Sequence, residues 1–292
     1  MQELEGVIVK GIGGFYYVET AKGLIECRAR GVFRKRKITP LIGDRVTIDE
    51  NQDGTGYVTE IKDRETEFFR PPVANVSQCV VVFAMKNPDP NLWLVDRFIL
   101  LAESQNVNIV ICITKVDLET AEEVAKLKMI YEKAGFRVIL INNKAGEGIE
   151  ELRKELQDEI TVFAGPSGAG KSSLLNNVDP RLKLQTGDVS DKTKRGKHTT
   201  RHVELFKLET GGYVLDTPGF SSMDIAYIGE EEVKDYFRDF EKPSQECKYR
   251  GCMHIGEPHC KIKEMVEQGE ISANRYEHYL DFVKELKDNR RY

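Results

Sequence analysis

Apolar and polar residues change rhythm twice along the chain. Up to about residue 68 they form short runs broken by glycine and proline. GVIVKGIGGFYYVET reads as two strands around Gly13-Gly14, and GLIECRARG, GDRVTIDE and GTGYVTEIKD read as three more. Short strands with regular turn signals and no helical period predict a small β-barrel, for which the OB-fold is the natural form at this size.

From about residue 70 the texture differs. Val80-Val81-Val82-Phe83 is a continuous apolar run of the kind a buried parallel strand needs. The spacing then predicts a helix over Leu92–Ser104, a strand over Asn108–Ile113 and an amphipathic helix in TAEEVAKLKMIYEKAG, stopped by Gly135 in the C′ position. A strand over Arg137–Ile141, a helix in GIEELRKELQ and a strand in ITVFAG follow. Strands alternating with helices predict a doubly wound α/β domain. After about residue 225 the pattern is helical and polar, and SANRYEHYLDFVKELKDN reads as a final helix with Ser272 as its N-cap. The expected organisation is a barrel over 1–68, an α/β domain over 69–225 and a helical unit over 226–292.

Composition adds limits. An apolar content of 40% can fill real cores. No run of 18 apolar residues exists, so no membrane-spanning helix is expected. MQELEGVIVK lacks a signal-peptide core, and a cytoplasmic protein is expected. The net charge of −5 argues against bulk attraction to nucleic acid but leaves room for patches. One such patch is Arg28, Arg30, Arg34, Lys35, Arg36 and Lys37, read either as a solvated loop or as a salt-sensitive contact to an RNA backbone.

The candidate chemistry lies in the middle of the chain. GPSGAGKS fits G-x-x-x-x-G-K-[ST], with an apolar strand before it and SLLNNV after it. In such a loop Gly165, Pro166, Ser167, Gly168, Ala169 and Gly170 wrap the phosphates, with every backbone N–H except the one Pro166 lacks free to turn inward. Lys171 reaches the outer phosphates, and Ser172, with Ser173 beside it, meets Mg²⁺. Some fifty residues earlier stands Thr114-Lys115-Val116-Asp117. A carboxylate at Asp117 can accept from N1–H and N2–H₂ of guanine, a donor pair adenine lacks, while the Lys115 stem lies along the ring. Asn142, Asn143 and Lys144 follow the next strand, where guanine-binding domains usually carry Ser-Ala-Lys. Asp216-Thr217-Pro218-Gly219 fits D-x-x-G, placing Asp216 near Mg²⁺ and Gly219 near the γ-phosphate. Thr199 and Thr200 are candidate switch threonines for the same ion. These elements form a cyclic rotation of the usual order. Ligands of open α/β sheets bind at the carboxyl ends of strands whatever the connectivity, so the rotation does not forbid function. It leads the chain from DTPG directly into the C-terminal unit, where a switch movement would be felt.

Cys247-x₄-Cys252-x-His254-x₅-Cys260 offers three thiolates and an imidazole, a set suited to a closed, structural, tetrahedral Zn²⁺ site. His259 competes with His254 on spacing alone. With little core expected in this small unit, metal is expected to supply much of its stability.

With these pieces together, the chain resembles the circularly permuted ribosome-assembly GTPases of the RsgA (YloQ, YjeQ) type. The resemblance spans nearly its whole length and rests on the permuted order, RGKHTT, DTPGF and the Cys/His spacing. It implies GTP hydrolysis to GDP coupled to late maturation of the small ribosomal subunit, and contacts from the outer domains to its 16S rRNA. A monomer acting away from membranes is expected. Thr114 in place of Asn, and Asn142-Asn143 in place of Ser-Ala, depart from the common pattern. Phe220 stands where small GTPases carry a water-positioning Gln, and His198 is the candidate to take over that task. Two other readings are a nucleotide-gated RNA-binding adaptor with incidental turnover and an ATP-dependent enzyme; Asp117 argues against the second.

Overall fold

The computed structural model describes residues 2–69, 71–185, 203–215 and 223–289. Strands β1 (Gln2–Ile12), β2 (Phe15–Thr20), β3 (Gly23–Ala29), β4 (Arg45–Glu50) and β5 (Gly56–Ile61) close into a barrel in the order β1-β2-β3-β5-β4. β3 and β5 pair in parallel while the other seams are antiparallel, which is the OB-fold order. Alternate residues fill the barrel: Ile8, Val18, Ile25, Cys27, Val46, Ile48 and Val58. The basic segment departs from the expected loop. Gly31–Lys35 forms a short helix, α1, because Phe33 turns into the barrel core and pins it there.

β1 carries an irregularity between Ile8 and Lys10. One extra residue flips the inward-outward alternation. Val9, next after the inward-facing Ile8, points away from the barrel and into the core of the neighbouring α/β unit, and the extra residue keeps Lys10 on the outer side as well. Lys10 bridges Glu204, with its ammonium 2.8 Å from that carboxylate. A hairpin of β6 (Glu67–Phe69) and β7 (Pro72–Ala74) follows the barrel.

The second sheet has six strands, ordered β10 (Arg137–Ile141), β9 (Asn108–Thr114), β8 (Gln78–Ala84), β11 (Ile160–Ala164), β13 (Tyr213–Leu215) and β12 (Leu205–Lys207). All but the edge strand β12 run parallel. Every residue of β8 is buried. Cys79, Val81 and Phe83 face one core, with helices α2 (Leu92–Glu103) and α3 (Ala121–Lys133); Val80 and Val82 face the other, with α4 (Ile149–Glu155) and α5 (Lys171–Val178). Covering both faces is what a parallel sheet requires. α3 ends as its sequence predicts, with Gly135 at φ +86°.

Helices α6 (Arg238–Ser244), α7 (Lys261–Glu267) and α8 (Ala273–Asn289) form the C-terminal unit. The Ser272 carbonyl accepts from Tyr276 N–H at 3.1 Å, placing Ser272 at the N-cap. The expectation of a meagre core fails here. Phe237, Phe240, Tyr279 and Phe282 pack together, and their cluster continues into Leu100 and Leu101 of α2. Arg275, 2% exposed, donates to Asp96 at 2.5 Å and to both oxygens of Asp239 at 2.8 and 2.9 Å. Arg97 forks onto Glu285 at 2.5 and 2.8 Å.

Replacing Arg275 by Met leaves Asp96 and Asp239 facing each other without their shared cation. The expected loss is about 3–5 kcal/mol for the C-terminal unit. Fluorescence of Trp93, the only tryptophan, reads it in denaturant titration, since its ring lies 5.3 Å from that of Phe282.

Candidate functional site

In the second sheet the chain proceeds from β8 to β9 and β10 on one side, then returns to lay β11 on the other. The crevice at the carboxyl ends of β8 and β11 is therefore a topological switch point, where ligands of such sheets bind. The glycine-rich loop leaves β11 there. Gly165 has φ +141°, and a Cβ on it would stand 1.9 Å from the Val82 carbonyl oxygen, so only glycine lets the loop depart flush against β8. Gly168 and Gly170 also have positive φ, at +76° and +89°.

Lys171 opens α5, with Ser172 and Ser173 in its first turn. Its ammonium donates to the carbonyls of Gly165 at 2.7 Å and Pro166 at 2.8 Å. Burial pulls its pKa down to about 8. The group thus sits partly desolvated against weak acceptors, ready to exchange them for an anion.

The base-motif residues reach the same crevice from β9. Thr114 is buried, and its hydroxyl donates to the Ala169 carbonyl at 2.6 Å. Lys115, held at φ +56°, donates to the Gly168 carbonyl at 3.0 Å and also to the Asn87 carbonyl in the loop after β8. Asp117 and Lys144 pair at 3.2 Å across the ends of β9 and β10. Asn142 turns inward on its own loop: its side-chain oxygen accepts from Lys144 N–H and Ala145 N–H, both at 3.2 Å. It shapes the turn, and its amide donates to Glu147 at 3.3 Å. Asn143 is tied to α5, where the Asn177 amide donates to its carbonyl at 2.9 Å and its side-chain oxygen at 3.2 Å. Sequence reasoning passed over Asn177, which looks like any polar residue of that helix.

His198, Thr199, Thr200, Asp216, Gly219 and Phe220 lie outside the described residues. Of the basic set, Arg28, Arg30, Arg34, Lys35, Arg36 and Lys37 are all exposed. Arg28 lies over the Phe15 ring at 4.5 Å, and Arg30 pairs with Asp49 at 2.5 Å.

The second site is in the C-terminal unit. One ligand atom each from Cys247, Cys252, His254 and Cys260 lies within 4.8 Å of the others, while His259 is not in the group. His254 Nδ1 is 3.4 Å from Cys260 Sγ and 3.7 Å from Cys247 Sγ. Donors around a tetrahedral zinc, with bonds of about 2.0–2.3 Å, stand roughly 3.3–3.8 Å apart. The cluster can therefore hold a metal ion. Burial pushes the Cys252 thiol up to about 12, a balance that a bound divalent cation reverses. On its far side His254 Nε2 meets Ser244 Oγ at 3.2 Å, and Ser244 donates to the Phe240 carbonyl at 2.6 Å. With Nδ1 turned to the metal, Nε2–H donates to Ser244 and fixes the tautomer. Glu257 accepts from Met253, Ile255 and Gly256 N–H at 2.7, 2.9 and 3.1 Å, bracing the loop between the ligands. Neither Ser244 nor Glu257 carries a spacing signal that would reveal it in the sequence.

A five-stranded barrel, a P-loop domain whose base motif precedes its phosphate loop, and a Cys/His metal lobe together define a circularly permuted nucleotide-binding protein. The family model described as RsgA GTPase matches residues 61–226, and that described as RsgA N-terminal domain matches residues 5–58. The small ribosomal subunit biogenesis GTPase RsgA of Alkaliphilus metalliredigens is 50% identical over 290 residues, covering 99% of each chain. Its counterpart in Caldanaerobacter subterraneus is 47% identical over 294 residues, covering 100% of this chain and 99% of the other. Among solved structures, YloQ, a circularly permuted GTPase, superposes with a TM-score of 0.84 at 40% identity, covering 99% of this chain and 96% of its own. YjeQ from Thermotoga maritima superposes at 0.85 with 36% identity, covering 98% and 99%. The chain belongs to the RsgA family and is, as a member, a GTPase. Among the described residues no helix is long and apolar enough to cross a membrane.

Replacing Ser244 by Ala is expected to weaken metal binding about 10–100-fold, read by competition with a chromophoric chelator. Because the aromatic core of this unit extends into α2, metal removal should loosen residues 247–260 and leave α8 protected in amide exchange.

Proposed function

We propose that this protein hydrolyses GTP to GDP and phosphate during biogenesis of the small ribosomal subunit, and that contact with the subunit stimulates the reaction. The names of its close full-length relatives support the setting. The observation that carries the nucleotide reading is the convergence of two distant segments: Thr114 and Lys115 both donate to carbonyls of the loop that ends at Lys171. A base motif and a phosphate loop so joined hold the two ends of one nucleotide at a fixed spacing.

In this reading the backbone N–H groups of Gly165 and residues 167–170 and the amino end of α5 surround the phosphates, with Pro166 shaping the turn and Ser172 and Ser173 beside them. Lys171 leaves the Gly165 and Pro166 carbonyls for the outer phosphates. Asp117 accepts from N1–H and N2–H₂ of guanine, with the Lys115 stem along the ring, while the loop Asn142, Asn143 and Lys144 meets the base edge. Ser172, Thr199 or Thr200, and Asp216 through water, are the residues to hold Mg²⁺, which supplies charge neutralisation at the phosphates. Gly219 lies near the γ-phosphate, and His198 orients the attacking water in place of a Gln at Phe220. These last assignments rest on the motif spacing alone. Zinc is the metal we assign to Cys247, Cys252, His254 and Cys260, in a structural role suited to thiolate-rich tetrahedral donors. The exposed basic set from Arg28 to Lys37 is assigned to ribosomal RNA backbone. We place the domain limits near residues 68 and 225.

The deciding experiment is GTP hydrolysis with and without purified small ribosomal subunits at one fixed salt concentration. Strong stimulation, diminished more than nucleotide affinity in His198→Ala, supports the reading. Nucleotide-dependent binding without stimulation would favour a gated adaptor, and no binding in any nucleotide state would remove the ribosomal role.

The Lys171 environment yields a separate expectation. Its pKa stands at about 8 without ligand and should return to or above its ordinary 10.5 against phosphate. Binding then draws in protons between those limits, roughly 0.9 per site at pH 9 and about 0.1 at pH 7. Calorimetry of GDP binding in two buffers of different ionisation enthalpy measures this, and Lys171→Met should abolish the pH 9 uptake.

A further inference from the structure

Thr114 stands where many guanine-binding motifs have Asn, and its single hydroxyl is spent on the phosphate-loop carbonyl of Ala169 at 2.6 Å. It has no second polar arm to steady the loop after β10. That loop is held from elsewhere. The Asn177 amide, from α5, reaches the Asn143 carbonyl at 2.9 Å and its side-chain oxygen at 3.2 Å. A Cβ placed on Gly170 would meet the Asn143 amide nitrogen at 3.4 Å and the Thr114 hydroxyl at 3.8 Å, so these three groups crowd one point.

We propose that Asn177 is a positioning residue for base recognition, fixing the loop of residues 142–144 so that its backbone N–H groups meet the O6 edge of guanine. The proposal rests on the nucleotide reading above and goes beyond it. The helix that starts at the phosphate-binding Lys171 also carries, at Asn177, the group that sets the height of the base loop. In this proposal Asn177 acts through Asn143, to which its amide donates, and not on the nucleotide directly. Its amide donates to the loop from one side, while Asn142 Oδ1 closes the turn from within by accepting Lys144 and Ala145 N–H. Removing the Asn177 donor leaves the turn formed and its placement free. The cost should therefore fall on contacts to O6 and not on those to N2 or the phosphates.

That prediction separates positioning from general damage. Affinities of GDP, IDP (lacking the N2 amine) and 2-aminopurine riboside diphosphate (lacking O6) are measured for wild type, Asn177→Asp and Asn177→Ser. GDP and IDP should weaken about tenfold in Asn177→Asp, where a carboxylate faces two oxygens it cannot donate to. The nucleotide without O6 should change less than about twofold, and kcat at saturating GTP should hold within about twofold. Asn177→Ser, which keeps a donor of shorter reach, should fall between. Equal loss for all three nucleotides, or no loss for any, would overturn the proposal. Should Asn177→Asp not fold, the serine variant carries the same comparison. A wild type that binds ADP as well as GDP would instead defeat the base-site reading itself, an outcome distinct from failure of Asn177.

Discussion

Helix α2 is shared between two cores, and much of the molecule depends on that sharing. Val95, Phe98, Ile99 and Ala102 pack on the sheet, while Leu100 and Leu101 belong to the C-terminal cluster. Its two buried charged residues act as complementary anchors: Asp96 receives Arg275 and His278, and Arg97 receives Glu285. Burying ions costs several kcal/mol each unless every lone pair and proton finds a partner. In the observed register of α8 on α2 these buried charges pair with one another, and a slide of either helix would separate them. Arg97 also donates to the Met223 carbonyl at 2.7 Å, binding the chain that enters the C-terminal unit to the same helix.

The nucleotide crevice shows why chain order matters less than strand order. Its parts leave β8, β9, β10 and β11, four neighbouring strands whose carboxyl ends lie side by side. Side-chain bonds to backbone carbonyls then lock the loops together: Thr114 to Ala169, Lys115 to Gly168, Asn177 to Asn143. None of these bonds depends on which segment is synthesised first. The metal centre is built by the same logic of bracing, with ligands on a loop held by Glu257 and with Tyr276 and Tyr279 donating to the carbonyls of His254 and Met253.

Much of this was legible in the residues. The unbroken run of β8, the stop at Gly135 and the strand-loop-helix around GPSGAGKS each carry a local physical cause that survives folding. Four of the metal-ligand candidates converge, and His254 is chosen over His259 only by the fold. What escaped detection has its cause at long range. Phe33 nucleates a helix in a charged stretch because the barrel offers it a pocket. The three-residue strand β12 forms because β13 lies beside it. The C-terminal unit looked starved of core because its scattered aromatic residues come together only in the fold, where they continue onto Leu100 and Leu101 of α2, more than a hundred residues earlier. Asn177 and Ser244 act through single hydrogen bonds to distant loops, and neither leaves a periodic or spaced trace.

The bulge in β1 has a consequence for how the protein comes into being. A sheet edge such as β12 presents unpaired backbone groups that invite other chains. Here Lys10, displaced by the extra residue at Val9, meets that edge at Glu204, and Lys207 reaches back to Glu19 at 3.0 Å. The barrel is complete by Ile61, long before β12 leaves the ribosome. Because domains fold as units during synthesis, amino-terminal first, the cover exists before the edge it protects. The order of synthesis thus places the residues that cover the edge ahead of the edge itself, so the strand most open to foreign pairing is made next to a surface already built for it.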